Sequence, residues 1–310
     1  MHLPRLACLA LAAALGTPFP AALAAQAPLF ARENLVAWCI VPFDSVKRGP
    51  DARAAMVRGL GLTRVAYDWR AEHVPQFEEE IFAYRKHGLE FLAFWGVHEE
   101  AFRLFAKHQL RPQIWMTAPS PVGTLPREEQ IRQAVARLLP VVERTRQAGC
   151  PLGIYNHGSW GGEPENLVAV CEYLRRHHDA CHVGIVYNQH HGHAHVDRFA
   201  AALGAMQPYL LCLNLNGLTR EGDQRGLKIQ PLGQGELDLP LLRIIAASGY
   251  RGPIGIIGHT QDDVELRLRD NLDGLDWLVP QLTGAPAGPR PAPRVPLPPT
   301  PVARKKAAAK

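Results

Sequence analysis

Histidine, asparagine and tryptophan gather in a few short stretches of this sequence. Tyr155-Asn156-His157-Gly158 leads to Trp160 and Glu163, and Tyr187-Asn188-Gln189-His190-His191-Gly192-His193-Ala194-His195 follows 32 residues on. Asn214-Leu215-Asn216-Gly217 and Gly258-His259 come later, while Tyr67-Asp68-Trp69-Arg70 runs into Glu72-His73 earlier. Imidazoles and amides both donate and accept hydrogen bonds, as sugar hydroxyls do. The indoles of Trp95, Trp115 and Trp160 can cover the apolar face of a sugar ring. Such a set suits a neutral, polyhydroxylated ligand.

Moving a proton needs an acid or a base. Asp68, Glu163 and Glu236 offer carboxylates, and His157, His191 and His259 offer imidazoles that work near neutral pH. Plainer roles compete. Glu163 precedes Pro164 and can simply favour a helix N-terminus, and Glu236 with Asp238 can set up a final helix. His190, His193 and His195 can cap helices or satisfy buried carbonyls. Arg220, Arg225 and Lys228 follow the seventh apolar run, where they can meet an anionic or keto group or stay solvated.

The elements that must position these residues can be read in order. Short apolar runs at 35–41, 64–69, 89–95, 112–117, 152–156, 183–188, 210–214 and 253–258 have strand character. Helix-like stretches lie near 51–60, 76–87, 99–108, 127–148, 164–178, 196–206, 239–248 and 261–282. Gly88, Gly149 and Gly249 suit helix C-termini, and Pro75, Pro126 and Pro164 suit first turns. Strict alternation predicts a parallel sheet with helices outside, and eight units predict closure as an α/β, (β/α)8 TIM barrel in one domain. No GxGxxG or GxxxxGK[ST] follows any run, which removes the usual dinucleotide and P-loop signatures. Every polar cluster above falls at a predicted carboxyl strand end, where such barrels carry their sites.

Composition frames the rest. The 310 residues are 47% hydrophobic and 20% charged, ample for one large core. Arg5, an apolar run from Leu6 to Leu15, then Gly16, Pro18, Pro20 and Ala22-Leu23-Ala24 predict a signal peptide over 1–24 and export to the periplasm or outside the cell. The run is too short to span a bilayer, and no transmembrane helix is expected in the mature chain. Beyond Cys8, five cysteines at irregular spacing make no disulfide framework, although one bridge can form, and no CxxC supports a thiolate zinc site. Cys39 and Cys212 fall inside apolar runs and read as small buried residues. The net charge of +5 is concentrated in residues 284–310, which hold Arg290, Arg294, Arg304, Lys305, Lys306 and Lys310 without an acid. That stretch is expected to be a disordered tail. Without it and Arg5 the balance turns slightly negative, which argues against a nucleic-acid surface.

At the motifs 154–167, 183–193, 210–217 and 231–257 the sequence resembles the sugar phosphate isomerase/epimerase family of xylose-isomerase-like barrels, related to AP endonucleases. The resemblance covers residues 34–282. It implies proton transfer beside a sugar carbonyl, assisted by a divalent metal held by Glu, Asp, His and Glu on strands five to eight. Those positions fall here on Tyr155, Asn188, Asn214 and near Ile257, so all four ligands are replaced. Only His191, matching a substrate contact of the family, is kept.

Two expectations follow for the ligand set. In one, the site has moved outward, because residues two apart on a strand share a face. His157, His191 and His259, with Asn216, would then offer a nitrogen-rich site for zinc or manganese. In the other, the metal is lost and the barrel works through neutral groups or only binds carbohydrate. The expected catalytic residues are His157, His191, His259, Glu163 and Glu236. Expected around the substrate are Asp68, Arg70, Trp95, Trp115, Tyr155, Asn156, Trp160, Asn188, His190, Asn214, Asn216 and Lys228. The expected activity is isomerisation or epimerisation of a free sugar or keto-sugar, with a carbohydrate-binding barrel and a nuclease as alternatives.

Overall fold

A strand covered on both faces must be apolar at almost every position, and the eight short runs obey this. In the computed structural model, which describes residues 28–296, they form β1 (Leu35–Trp38), β2 (Arg64–Tyr67), β3 (Glu90–Trp95), β4 (Gln113–Thr117), β5 (Leu152–Tyr155), β6 (Val183–Asn188), β7 (Leu210–Leu215) and β8 (Ile254–Ile257). Each pairs in parallel with the next, and Leu35–Trp38 of β1 pairs with Ile254–Ile257 of β8. The barrel is closed, as the alternation predicts.

The helices are α1 (Pro50–Gly59), α2 (Phe77–His87), α3 (Glu99–His108), α4 (Arg127–Ala148), α5 (Ser159–Gly162), α6 (Pro164–His178), α7 (Phe199–Met206), α8 (Asp238–Ala247) and α9 (Val264–Leu282). Gly88 and Gly149 end α2 and α4 in the left-handed conformation that glycine adopts without strain. Two ends differ from expectation. The helix expected from 196 starts at Phe199, because His193–Arg198 winds as a tighter 3-10 turn. The last helix starts at Val264 rather than 261, because Asp263 caps it by accepting from the Glu265 N–H. The single turn α5 has no periodic signal in its Ser-Trp-Gly-Gly sequence.

Inward and outward side chains alternate. Val36, Trp38, Ala66, Ala93, Trp115, Tyr155, Val186, Cys212 and Ile257 form an inner cluster, while a larger apolar layer lies between the sheet and the helices. The inner space is tight: a Cβ on Gly255 would lie 1.8 Å from Asn214 Oδ1. Glycine there makes room for a polar side chain of the neighbouring strand. Cys39, Cys150, Cys171 and Cys212 are free and buried.

The leader expected over 1–24 and residues 297–310 lie outside the described residues. Residues 284–296 correct the expectation of a solvated tail. Arg294 pairs with Asp270 and Asp273, and Val295 is buried. Trp277 Nε1 donates to the Gly288 carbonyl, and Arg290 Nε donates to that of Gly233. Pro- and Ala-rich composition hid this, because the acceptors and carboxylates that anchor the segment sit on α9 and on the loop after β7. Among the described residues no helix is long and apolar enough to cross a membrane.

That loop is built around one carboxylate. Buried Asp238 accepts from the backbone N–H groups of Leu218 (2.7 Å), Gly233 (2.7 Å) and Gly235 (3.0 Å). Removing it strands three donors away from water, each at a cost of about 1–3 kcal/mol before relaxation. Asp238→Ala should therefore lower unfolding stability by about 2–4 kcal/mol in urea titrations. A loss below about 0.5 kcal/mol, the range of neutral surface substitutions, would show that the loop does not depend on this carboxylate.

Candidate active site

Closure brings all eight carboxyl strand ends to one rim. A cavity of about 250 Å³ opens there, lined by Trp38, Cys39, Phe43, Asp68, Arg70, Trp95, Tyr155, His157, His190, His191 and His259. Its floor is aromatic. The Trp38 and Trp115 rings meet edge-on at 5.0 Å, as do Trp95 and Tyr155. The Tyr155 hydroxyl accepts from Trp38 Nε1 at 3.0 Å and from Asn188 Nδ2, which ties β1, β5 and β6 together under the cavity. Asn156 locks β5 to β6 from the side. Its Oδ1 accepts from the Asn188 N–H at 2.7 Å, and its Nδ2 donates to the Asn188 carbonyl at 3.0 Å.

Two fully buried polar atoms stay unpaired among the groups that face this space. Asp68 is 3% exposed; its Oδ1 accepts from the Val41 N–H at 3.3 Å, and its Oδ2 has no partner. Burial lifts its carboxyl to about 7, against the pull of the Val41 N–H and the Arg70 charge. His190 is also 3% exposed, and its Nδ1 has no partner. Buried polar groups in folded proteins are almost always paired, so exceptions beside a cavity point to a ligand.

The histidines form a chain of neighbouring rings: His157–His191 at 4.4 Å, His191–His190 at 3.7 Å and His190–His259 at 5.7 Å between centroids. Burial is the main force holding His190, His191 and His259 neutral. It lowers His191 to about 3, helped by His157 and Lys228, and His259 to about 4, helped by Arg70 and Lys228. His190 is lowered well below the usual imidazole value by the same cause. Near neutral pH these three rings are uncharged, each with one N–H and one lone pair.

Several expected residues lie elsewhere. Glu163 is turned to the outer surface, where it pairs with Arg198 at 2.6 Å and lies 3.5 Å from His195 Nε2. Glu236 is exposed and meets Arg225 at 3.5 Å. Neither faces the cavity, so neither is placed to act as its acid or base. Trp115 lies beneath the floor, fully buried, with its indole N–H on Gln113 Oε1. Trp160 donates to Gln130 Oε1 between helices. Asn156 and Asn188 are spent on each other and on Tyr155. Asn214 is buried against Gly255 and accepts from the Cys212 thiol. Asn216 turns into the β7 loop and donates to the Gly217 carbonyl at 2.8 Å, rather than stacking above Asn214. His193 and His195 hold the Lys228 carbonyl and the Tyr187 hydroxyl. Sequence reading missed Trp38, Cys39 and Phe43. They end or follow an apolar strand, and only their place at a strand end could have flagged them. Cys39 is unusual, since it holds a left-handed φ of 58° that costs a non-glycine residue strain.

The residues present do not fit the metal that the family resemblance implies. A phenol, two amides and an alkyl chain stand at the four ligand positions, and the Tyr155 phenol and Asn188 amide already satisfy each other. The relocated histidine set fails as well. His157, His191 and His259 are spread along the ring chain, and among the described residues no three His, Cys, Asp or Glu side chains are grouped so that they could hold a metal ion.

Similarity to known proteins agrees with the architecture. Among solved structures, 3-keto-D-glucoside 4-epimerase from E. coli superposes with a TM-score of 0.58 at 14% identity, over 80% of this chain and 99% of that one. D-psicose 3-epimerase from Clostridium cellulolyticum H10, determined with D-tagatose, gives 0.58 at 12% identity over 80% and 99%. The IOLI protein, determined with a zinc atom, gives 0.58 at 11% over 81% and 100%. A comparison with curated proteins found no match. A xylose isomerase-like TIM barrel profile matches residues 98–279, more than half of the sequence. With the closed eight-stranded sheet, this match establishes that the chain belongs to the xylose isomerase-like TIM barrel family.

Proposed function

We propose that this barrel is an isomerase or epimerase of a small free sugar or keto-sugar, moving a proton next to a carbonyl with its own side chains. The observation that carries the reading is Asp68, a buried carboxyl with an unpaired oxygen at the cavity wall and a pKa of about 7. A general base works best when its pKa lies near the operating pH. The cavity, at about 250 Å³, lies just below the usual range for drug-sized ligands and so suits a single sugar ring. Trp38 and Trp95 supply its apolar wall.

In this scheme the Asp68 carboxylate takes the proton from the carbon beside the carbonyl. The C–H electron pair forms the enediolate double bond, and the carbonyl pair moves onto oxygen. Neutral imidazole N–H groups donate to that oxygen. Inversion of the same carbon needs the enediolate to turn its other face to the Asp68 carboxyl before that carboxyl returns the proton. Return to the neighbouring carbon, with a hydroxyl proton shifting across, gives the isomer. We place this activity outside the cytoplasm on the strength of the leader-like residues 1–24. A second reading, a barrel that binds carbohydrate without turnover, is favoured by one fact: among the described residues Asp68 is the only carboxyl group on the cavity wall.

Two measurements separate these readings. Solvent deuterium should enter a sugar at the carbon next to its carbonyl, with a rate that rises through about pH 7 as Asp68 ionises. Asp68→Asn should slow it by about 10²–10⁴-fold while sugar binding persists. Binding without exchange in the unsubstituted protein would favour the second reading. Added zinc or manganese should leave both Tm and exchange rate unchanged, because a ligand that binds only the folded state raises Tm. A saturable rise in Tm with either ion would overturn the metal-independent scheme.

A further inference from the structure

Three cations follow β7, and the structure separates them. Arg220 is held by Asp197 at 2.6 Å, and Arg225 meets Glu236 at 3.5 Å. Lys228 makes no ion pair among the described residues. Its own backbone is fixed, since its carbonyl accepts from His193 Nε2 at 2.9 Å, and its charge is felt by His190, His191 and His259. From the other side, Arg70 lines the cavity after β2. Its guanidinium sits 5.3 Å from the Phe43 ring centroid and donates only to the Trp69 carbonyl. No carboxylate lies within ion-pair distance of it among the described residues.

We infer that the natural ligand is a carboxylated monosaccharide, a uronic acid, whose carboxylate meets Arg70 at the cavity wall, within the field of the Lys228 charge, while its ring lies on Trp38 and Trp95. This inference rests on the sugar-directed reading above and names the substrate class within it. Arg70 lines the cavity with no ion pair among the described residues, and the Lys228 charge bears on the rings of His190, His191 and His259. A neutral sugar would leave the guanidinium without an ion pair. A monoanion supplies one, and the flat guanidinium fork matches a carboxylate edge. The unpaired Asp68 Oδ2 and His190 Nδ1 remain for hydroxyl groups of the ring.

Trp38 and Trp95 provide a binding signal that does not depend on turnover. Intrinsic fluorescence should be titrated with D-glucuronate and D-galacturonate, their neutral parents D-glucose and D-galactose, and the corresponding 6-phosphates. At least one uronate should bind about tenfold or more tightly than its parent, the worth of one charge-assisted contact. Arg70→Gln and Lys228→Gln should each remove most of that preference. Arg225→Gln, at an exposed position already paired with Glu236, should leave it intact. Equal affinity for parents and uronates, tighter binding of the phosphates, or a preference that survives both substitutions would overturn the inference. Preferential uronate binding without deuterium exchange would leave this inference standing and remove the enzymatic reading. Exchange on neutral sugars with no uronate preference would do the reverse.

Discussion

Closing eight parallel strands puts every carboxyl strand end on one ring, and polar side chains there have mainly one another as partners until a ligand arrives. Most of the ring here is settled internally. Tyr155 takes donors from Trp38 and Asn188, and Asn156 exchanges two hydrogen bonds with the Asn188 backbone. These bonds fix the floor height and leave the upper layer to Asp68, Arg70 and the histidines. The cavity therefore exists where internal pairing stops.

The fold was legible because its signal is local and repeated. Strand runs and helix stretches of the right length alternate eight times, and only one closed architecture uses them all. The site was legible in half. His157, His190, His191 and His259 could be placed on the rim because each follows a strand end directly. Glu163 and Glu236 were misplaced for a three-dimensional reason: Arg198 and Arg225 hold them outward, and neither pairing has a sequence spacing that announces it. Asn216 broke the two-residue rule because the strand ends at Leu215, so the alternation no longer governs the next side chain. Phe43 lies beyond the end of β1 and carries no polar atom to attract notice, yet its ring packs 3.7 Å from that of His259.

The titratable groups of the cavity couple it to pH in two opposing senses. Asp68 has a folded pKa near 7 against about 4 in an unfolded chain. Between those values the folded protein keeps a proton that the unfolded chain has lost, so this group's contribution to stability falls as pH rises from about 4 to 7. His191 and His259 are shifted the other way. The unfolded chain gains their protons below about 6.5 while the folded protein does not, so their contribution falls as pH drops. The two effects oppose each other between about pH 4 and 6.5, below the pH at which Asp68 changes charge.

The Tyr155 hydroxyl also constrains how this lineage can change. Restoring a carboxylate at that position alone would remove the acceptor shared by Trp38 and Asn188 and bury a new charge among aromatic rings. Three further ligand positions would still carry two amides and an isoleucine, so no metal would arrive to compensate. Each single substitution towards the ligand set that the family resemblance implies is thus expected to cost stability with nothing gained in chemistry. The phenol works as a one-way latch on substitution: with Trp38 and Asn188 both donating to it, the upper layer of the rim can vary far more easily than the lower one.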